Sequence, residues 1–167
     1  MRYEYVCVVV RQFFSFPNPV DEHAARLVAL GVVVMAVGTI ALDQPWMLLV
    51  LAYGFVARVL AGPKLSPLGR LVTQVIVPVL GRRPKHVPGP PKRFAQGIGV
   101  AFSLVAAVLH FGFDATGAAY VVVGLLAAAA ALEAFLGFCC GCVVFAGLMR
   151  AGVIPEDDLQ NQRPSSA

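Results

Sequence analysis

The chain has 167 residues, 59% of them apolar and 13% charged, against roughly 45 to 50% and about 25% in soluble globular proteins. That balance excludes an ordinary soluble domain and a disordered chain, and the net charge of +4 is confined to segments between long uncharged stretches. Those stretches carry the architecture.

Residues 1–19 read as a cytoplasmic N-terminal segment. MRYEYVCVVVRQ holds a basic residue and only the short apolar core VCVVV, below the roughly 7 to 15 residues of a secretory signal, so insertion is expected through the first span. In FPNPVDEHAAR (16–26), Asn18 suits an N-cap, Pro19 suits the first helical position, and Asp21 and Glu22 complement the positive helix end.

A spanning helix needs about 20 mostly apolar residues, because each adds about 1.5 Å against a hydrocarbon core of about 30 Å. Four stretches meet this: 24–42, with Arg26 near its start; 45–61, with Arg58 near its end; 94–111; and 117–138. Between the second and third, SPLGRLVTQVIVPVLG places Leu68, Leu71, Val72, Val75, Ile76 and Val79 at helical spacing. Arg70, Thr73 and Gln74 take another face, which is the pattern of a helix lying in the interface, with Pro78 expected to bend or end it. RRPKHVPGPPKRF is expected to be extended, since each residue before a proline is pushed away from helix. The last apolar run continues to Met149, too long for one span, and Gly124, Ala127, Ala131 and Ala134 make a small-residue packing face along it. The expected fold is all-α: a four-helix transmembrane bundle over 20–149, with an interfacial amphipathic helix in the central cytoplasmic loop and a polar, disordered tail at 150–167.

Lys and Arg set the orientation of a membrane protein through their excess in cytoplasmic loops. The short connections LDQP and FGFDATG hold Asp43 and Asp114 but no Lys or Arg, so four crossings put all thirteen basic residues on one side. Both termini and the central loop are therefore expected in the cytoplasm, with the protein in an inner or plasma membrane. Trp46, Tyr53, Phe111, Phe113 and Tyr120 fit an aromatic belt at the outer face. The basic loop GRRPKHVPGPPKR reads as a topology signal touching anionic lipid head groups. Nucleic acid is not an expected partner, because the loop has Pro and Gly where an aromatic platform or recognition helix is needed.

Three of the four cysteines fall in FCCGC (138–142). Cys139 and Cys142 have Cys-x-x-Cys spacing, which on a helix leaves Cα atoms about 5 Å apart, inside the roughly 4.4 to 6.8 Å window for a disulfide. If Gly137 breaks the helix and a new one begins at Phe138, the thiols sit at a helix start and gain thiolate character. If the helix runs through, they sit near a negative helix end or in lipid and are less reactive. On the cytoplasmic side a disulfide is transient and catalytic rather than structural. The alternatives are cysteines packing as small hydrophobes and a metal site; zinc usually needs a second ligand pair, and His23, His86 and Cys7 offer none at a telling spacing. No metal or cofactor is expected, and His110 with Asp114 reads as a solvated pair.

Glu133 is an ionisable residue within a span, which normally requires a partner. Counted from the outer face, Arg58 and Glu133 lie roughly 20 Å and roughly 24 Å deep, and Arg26 approaches the same level from the other face. A cluster of Arg26, Arg58 and Glu133 is expected, either as a bridge locking three helices or as charges that tune the thiols or hold a small anion.

FPNPVDEHAAR, GPKLSPLGRL, VPGPPKRFAQGIG and LEAFLGFCCGC, in that order, resemble an uncharacterised family of bacterial integral membrane proteins called domain of unknown function 4395. The resemblance implies a four-helix membrane domain with a Cys-x-x-Cys pair near the end of the last helix and no established activity. Family members tend to carry an apolar residue between the cysteines, where this chain has Cys140. The expectation is thiol redox or sulfur handling through Cys139 and Cys142, with Cys140 a third or substitute thiol. The expected partners are the lipid bilayer and a thioredoxin-like or sulfur-transfer protein. The alternative is a non-catalytic accessory subunit or small-solute permease with structural cysteines.

Overall fold

The structure, a computed structural model, describes residues 20–81, 85–87 and 89–151; Cys7, Asn18, Pro19 and the tail beyond Ala151 lie outside them. Six helices follow in order: α1 (Glu22–Ala41), α2 (Trp46–Ala61), α3 (Pro67–Leu80), α4 (Gly89–Phe113), α5 (Thr116–Leu136) and α6 (Cys140–Arg150). Among the described residues the fold is all-α apart from a two-residue ladder, in which β1 (Val20–Asp21) runs antiparallel to β2 (His86–Val87).

α1, α4 and α5 are long and apolar enough to cross a membrane. α2 has 16 residues and rises about 24 Å, less than the about 30 Å core, so its length alone does not span. α1, α2, α4 and α5 pack around one core containing Val32, Ala36, Leu51, Phe55, Ala106 and Val123. Small residues line the closest approaches, including Ala36, Ala106 and Ala119 with no exposed surface, while Val34, Leu49, Val108 and Val121 face outward. Small inside and large apolar outside is the pattern of helices that pack against each other within lipid. On α5 the buried stripe is Ala119, Val123, Leu126 and Ala127. Of the expected small-residue face only Ala127 belongs to it, and Gly124 borders open space.

The helix starts differ from expectation in two places. The N-cap of α1 is Asp21, whose carboxylate accepts from the His23 N–H at 3.0 Å, in place of Asn18. α4 begins at Gly89 rather than near Phe94, because Pro90 and Pro91 fall in the first turn, where a missing N–H costs nothing and a φ near −65° is already helical. Of the expected extended stretch, His86–Val87 is a strand, held by β1 and by a Lys85–Glu22 ion pair at 2.8 Å, residues 89–94 are helical, and residues 82–84 and 88 lie outside the described residues.

α3 is the amphipathic helix of the central loop, opened by Ser66 accepting from Gly69 N–H. Pro78 does not end it. A π-turn over Val72–Ile76 widens the helix ahead of the proline, and Val77 N–H bonds to the Val72 carbonyl five residues back. The helix stops at Gly81, in left-handed conformation. Its apolar residues divide: Val72 is buried and packs with Ala24 and Val28 of α1, whereas Leu71, Val75 and Val79 are exposed.

The two short turns α1–α2 and α4–α5 share a device. Asp43 and Asp114 both adopt positive φ, 48° and 52°, a conformation aspartate tolerates better than most residues. The Tyr120 hydroxyl donates to Asp43, tying the start of α5 to the α1–α2 turn.

Candidate functional site

α5 closes with a π-turn over Leu132–Leu136 and is broken at Gly137, whose φ of 69° is left-handed. The chain then runs extended through Cys139, the N-cap of α6, with φ −92° and ψ 102°. The Cys139 carbonyl accepts from the N–H groups of Cys142 and Val143 at 3.0 and 3.2 Å. The Cys-x-x-Cys pair thus straddles the start of a helix, where unpaired N–H groups and the helix dipole favour negative charge. α6 is seated by close packing on α4: a Cβ at Gly141 would lie 2.5 Å from that of Ala95, and Phe145 meets Phe94 at 5.6 Å between ring centroids.

The thiols are unequal. Cys139 is 8% exposed, and its pKa is lowered to about 7, first because the Cys142 thiol donates to it, then because the Lys92 ammonium and Cys142 N–H favour the thiolate; burial and the Glu133 charge oppose this. The Cys142 thiol is pushed up, since it holds the proton that Cys139 accepts and is itself part-buried. Cys140, first residue of α6, is half-buried beside them. This asymmetry suits exchange: one sulfur attacks as thiolate, and the other follows once its proton is released.

Glu133 has a direct partner that the depth count does not supply. Lys92, in the first turn of α4, forms the ion pair with its carboxylate, and both side chains are largely buried. Arg58, 5% exposed, donates from Nε to Gln96 Oε1 at 3.0 Å and rests its guanidinium 4.5 Å from the centre of the Phe55 ring. Arg58 senses the Glu133 charge without bonding to it. Arg26 is separate again: Nη2 donates to the Phe135 carbonyl at 3.0 Å, at the negative end of α5, and the guanidinium lies against Gly137. The expected trio is therefore an Arg26 contact at the helix break plus an interior group of Arg58, Gln96, Lys92 and Glu133. Sequence reasoning misses Lys92 because it places the helix start after it, where Gly-Pro-Pro as a helix opening is the available signal, and it misses Gln96, inside the expected span, because a lone uncharged amide there carries no signal of its own.

A cavity of about 310 Å³ runs from this group into the bundle. Its wall is largely apolar, with Phe55, Gly99 and Ala129 among its residues, and Gln96, Glu133, Cys139 and Cys140 gather at one end. Among the described residues, no group of three or more His, Cys, Asp or Glu is placed to hold a metal ion. At the α4–α5 turn, His110 Nδ1 lies 3.3 Å from the Thr116 hydroxyl and its ring stacks with Tyr120, while Asp114 occupies the turn itself.

No curated protein and no solved structure matches the chain. The family model described as domain of unknown function (DUF4395) matches residues 20–150, most of the chain. The chain belongs to this family.

Proposed function

We propose that this member of the family is a multi-pass protein of the inner or plasma membrane in which Cys139 and Cys142 cycle between dithiol and disulfide. The observation that carries the reading is Cys139 as N-cap of α6, below the break at Gly137. A continuous helix would have aimed carbonyls, not N–H groups, at the sulfur atoms. α2 makes the fourth crossing together with Gly62–Leu65, and both termini and the central loop face the cytoplasm, a reading supported by the placement of Lys and Arg.

The reaction is thiol–disulfide exchange with a soluble thioredoxin-like or sulfur-transfer protein. In the oxidising direction for the partner, its thiolate attacks the Cys139–Cys142 bond, forming a mixed disulfide and releasing one cysteine as thiolate. The partner's second thiolate then attacks the mixed disulfide, leaving the membrane dithiol reduced and the partner oxidised. Lys92 supports a thiolate at Cys139, and with Arg58 it leaves the interior group one positive charge above Glu133, which that thiolate balances. The test is a trap. Run in reverse, with the thioredoxin-like protein supplied in its disulfide form, purified Cys142→Ser should accumulate a mixed disulfide as the Cys139 thiolate attacks the partner's disulfide and releases one partner thiolate, and Cys139→Ser should not. Absence of any adduct in both, with Cys139 unreactive to oxidant, would support packing cysteines in an accessory subunit instead.

A further inference from the structure

The cavity above the cysteines belongs to no step of exchange with a soluble partner. Its wall reaches Leu125 on α5 and Val144 on α6, which are 58% and 49% exposed on the outside of the bundle, so it opens sideways where lipid would lie. Its volume of about 310 Å³ stands at the low end of the roughly 300 to 1,000 Å³ of small-molecule sites. One polar group is poised to hold an occupant. Gln96 lines the cavity and accepts from Arg58 Nε through its Oε1, and among the described residues no hydrogen bond engages its amide NH2, which is left to donate to an occupant. The required occupant is apolar, enters from the membrane, carries a hydrogen-bond acceptor and reaches a dithiol.

We propose that the cavity binds a lipid-soluble quinone that reoxidises the cysteine pair; this rests on the redox reading of Cys139 and Cys142. A quinone carbonyl accepts from the Gln96 amide, and the ring lies toward the Cys139 end. The Cys139 thiolate adds to an electrophilic ring carbon, forming a C–S bond. The Cys142 sulfur then attacks Cys139 Sγ, so that the S–S bond forms as the C–S bond breaks and its electron pair passes to the ring. The two ring oxygens take up the two protons lost by the thiols, one of them by way of the Glu133 carboxylate in the cavity wall. The balance is one dithiol and one quinone giving one disulfide and one hydroquinone. Electrons thereby pass from a cytoplasmic dithiol protein to the membrane quinone pool.

The experiment uses the full chain in lipid nanodiscs, reduced and freed of reductant, mixed anaerobically with a short-chain ubiquinone or with diamide. The expected result is one quinone reduced per chain, a Cys139–Cys142 disulfide found by mass spectrometry, and no turnover by Cys139→Ser or Cys142→Ser. Ala129→Phe, which adds bulk to the cavity wall on α5, should slow quinone reduction at least tenfold, whereas diamide, which needs no cavity, should still form the disulfide. If diamide forms the disulfide while quinone leaves the thiols reduced, or if Ala129→Phe slows neither, the quinone site is wrong and the exchange reading stands. A phospholipid chain that occupies the cavity and is not displaced by quinone would also overturn it. Failure of both oxidants to form the disulfide would end both proposals.

Discussion

Cys139 is one residue whose chemistry depends on atoms supplied by several others, and its thiolate is the quantity to measure. With its pKa near 7, iodoacetamide should label Cys139 at a rate that rises with pH and is half-maximal near pH 7, below the about 8.5 of a free thiol. Cys142→Ser should move that midpoint up, because a hydroxyl replaces the thiol that donates to Cys139. Lys92→Met should also raise it, by removing the nearest ammonium, and should destabilise the fold by about 3 to 5 kcal/mol, since Glu133 is left charged and unpaired in a largely buried place. Lys92→Met/Glu133→Leu should recover most of that loss in thermal unfolding of the detergent-solubilised protein. In the sequence, Cys139 and Cys142 stand out by their spacing and by the family resemblance, and Glu133 as an ionisable residue within an apolar run. Lys92 was hidden, because a charge just before an apolar run reads as a loop signal until the helix start is known.

Helix breaks decide the site at the next scale up. Gly137 holds a left-handed φ, where a non-glycine residue costs roughly 1 to 2 kcal/mol, and its missing side chain admits the Arg26 guanidinium. Gly137→Ala should therefore lower stability by about that amount and carry the Cys139 labelling midpoint upward as the N-cap geometry is lost. A mutant that keeps the midpoint near pH 7 would show that the break does not set thiol reactivity. The composition around Gly137 raised the question of a break but could not answer it, since a glycine inside an apolar run is also common in continuous membrane helices. Proline is read too strongly as a helix breaker. Of the two outcomes expected at Pro78, a bend or an end, the helix does not end, because a π-turn precedes the proline, and Pro90–Pro91, expected in extended chain, are accommodated in the first turn of α4.

Across the whole molecule, the helices approach closely only where side chains are small. A Cβ at Gly99 would stand 2.3 Å from the Phe55 ring, so Gly99→Val should destabilise the bundle by about 1 to 3 kcal/mol, and Phe55→Leu in the same chain should relieve part of it, as read by thermal unfolding in detergent. The all-α class was legible because long uninterrupted apolar runs satisfy their backbone groups most simply as helices, and three of them are helices long and apolar enough to cross a membrane. Contacts within the bundle were not, because apolar residues occupy both the inner and the outer faces and periodicity no longer marks the core. The account turns on whether the cysteine pair works as a redox couple in its native membrane. The direct measurement is differential thiol labelling with mass spectrometry of native membranes poised under reductant and oxidant. Cys139 and Cys142 should pass together from labelled thiols to a linked peptide and back; cysteines that stay unlabelled and never pair under oxidant would contradict the account.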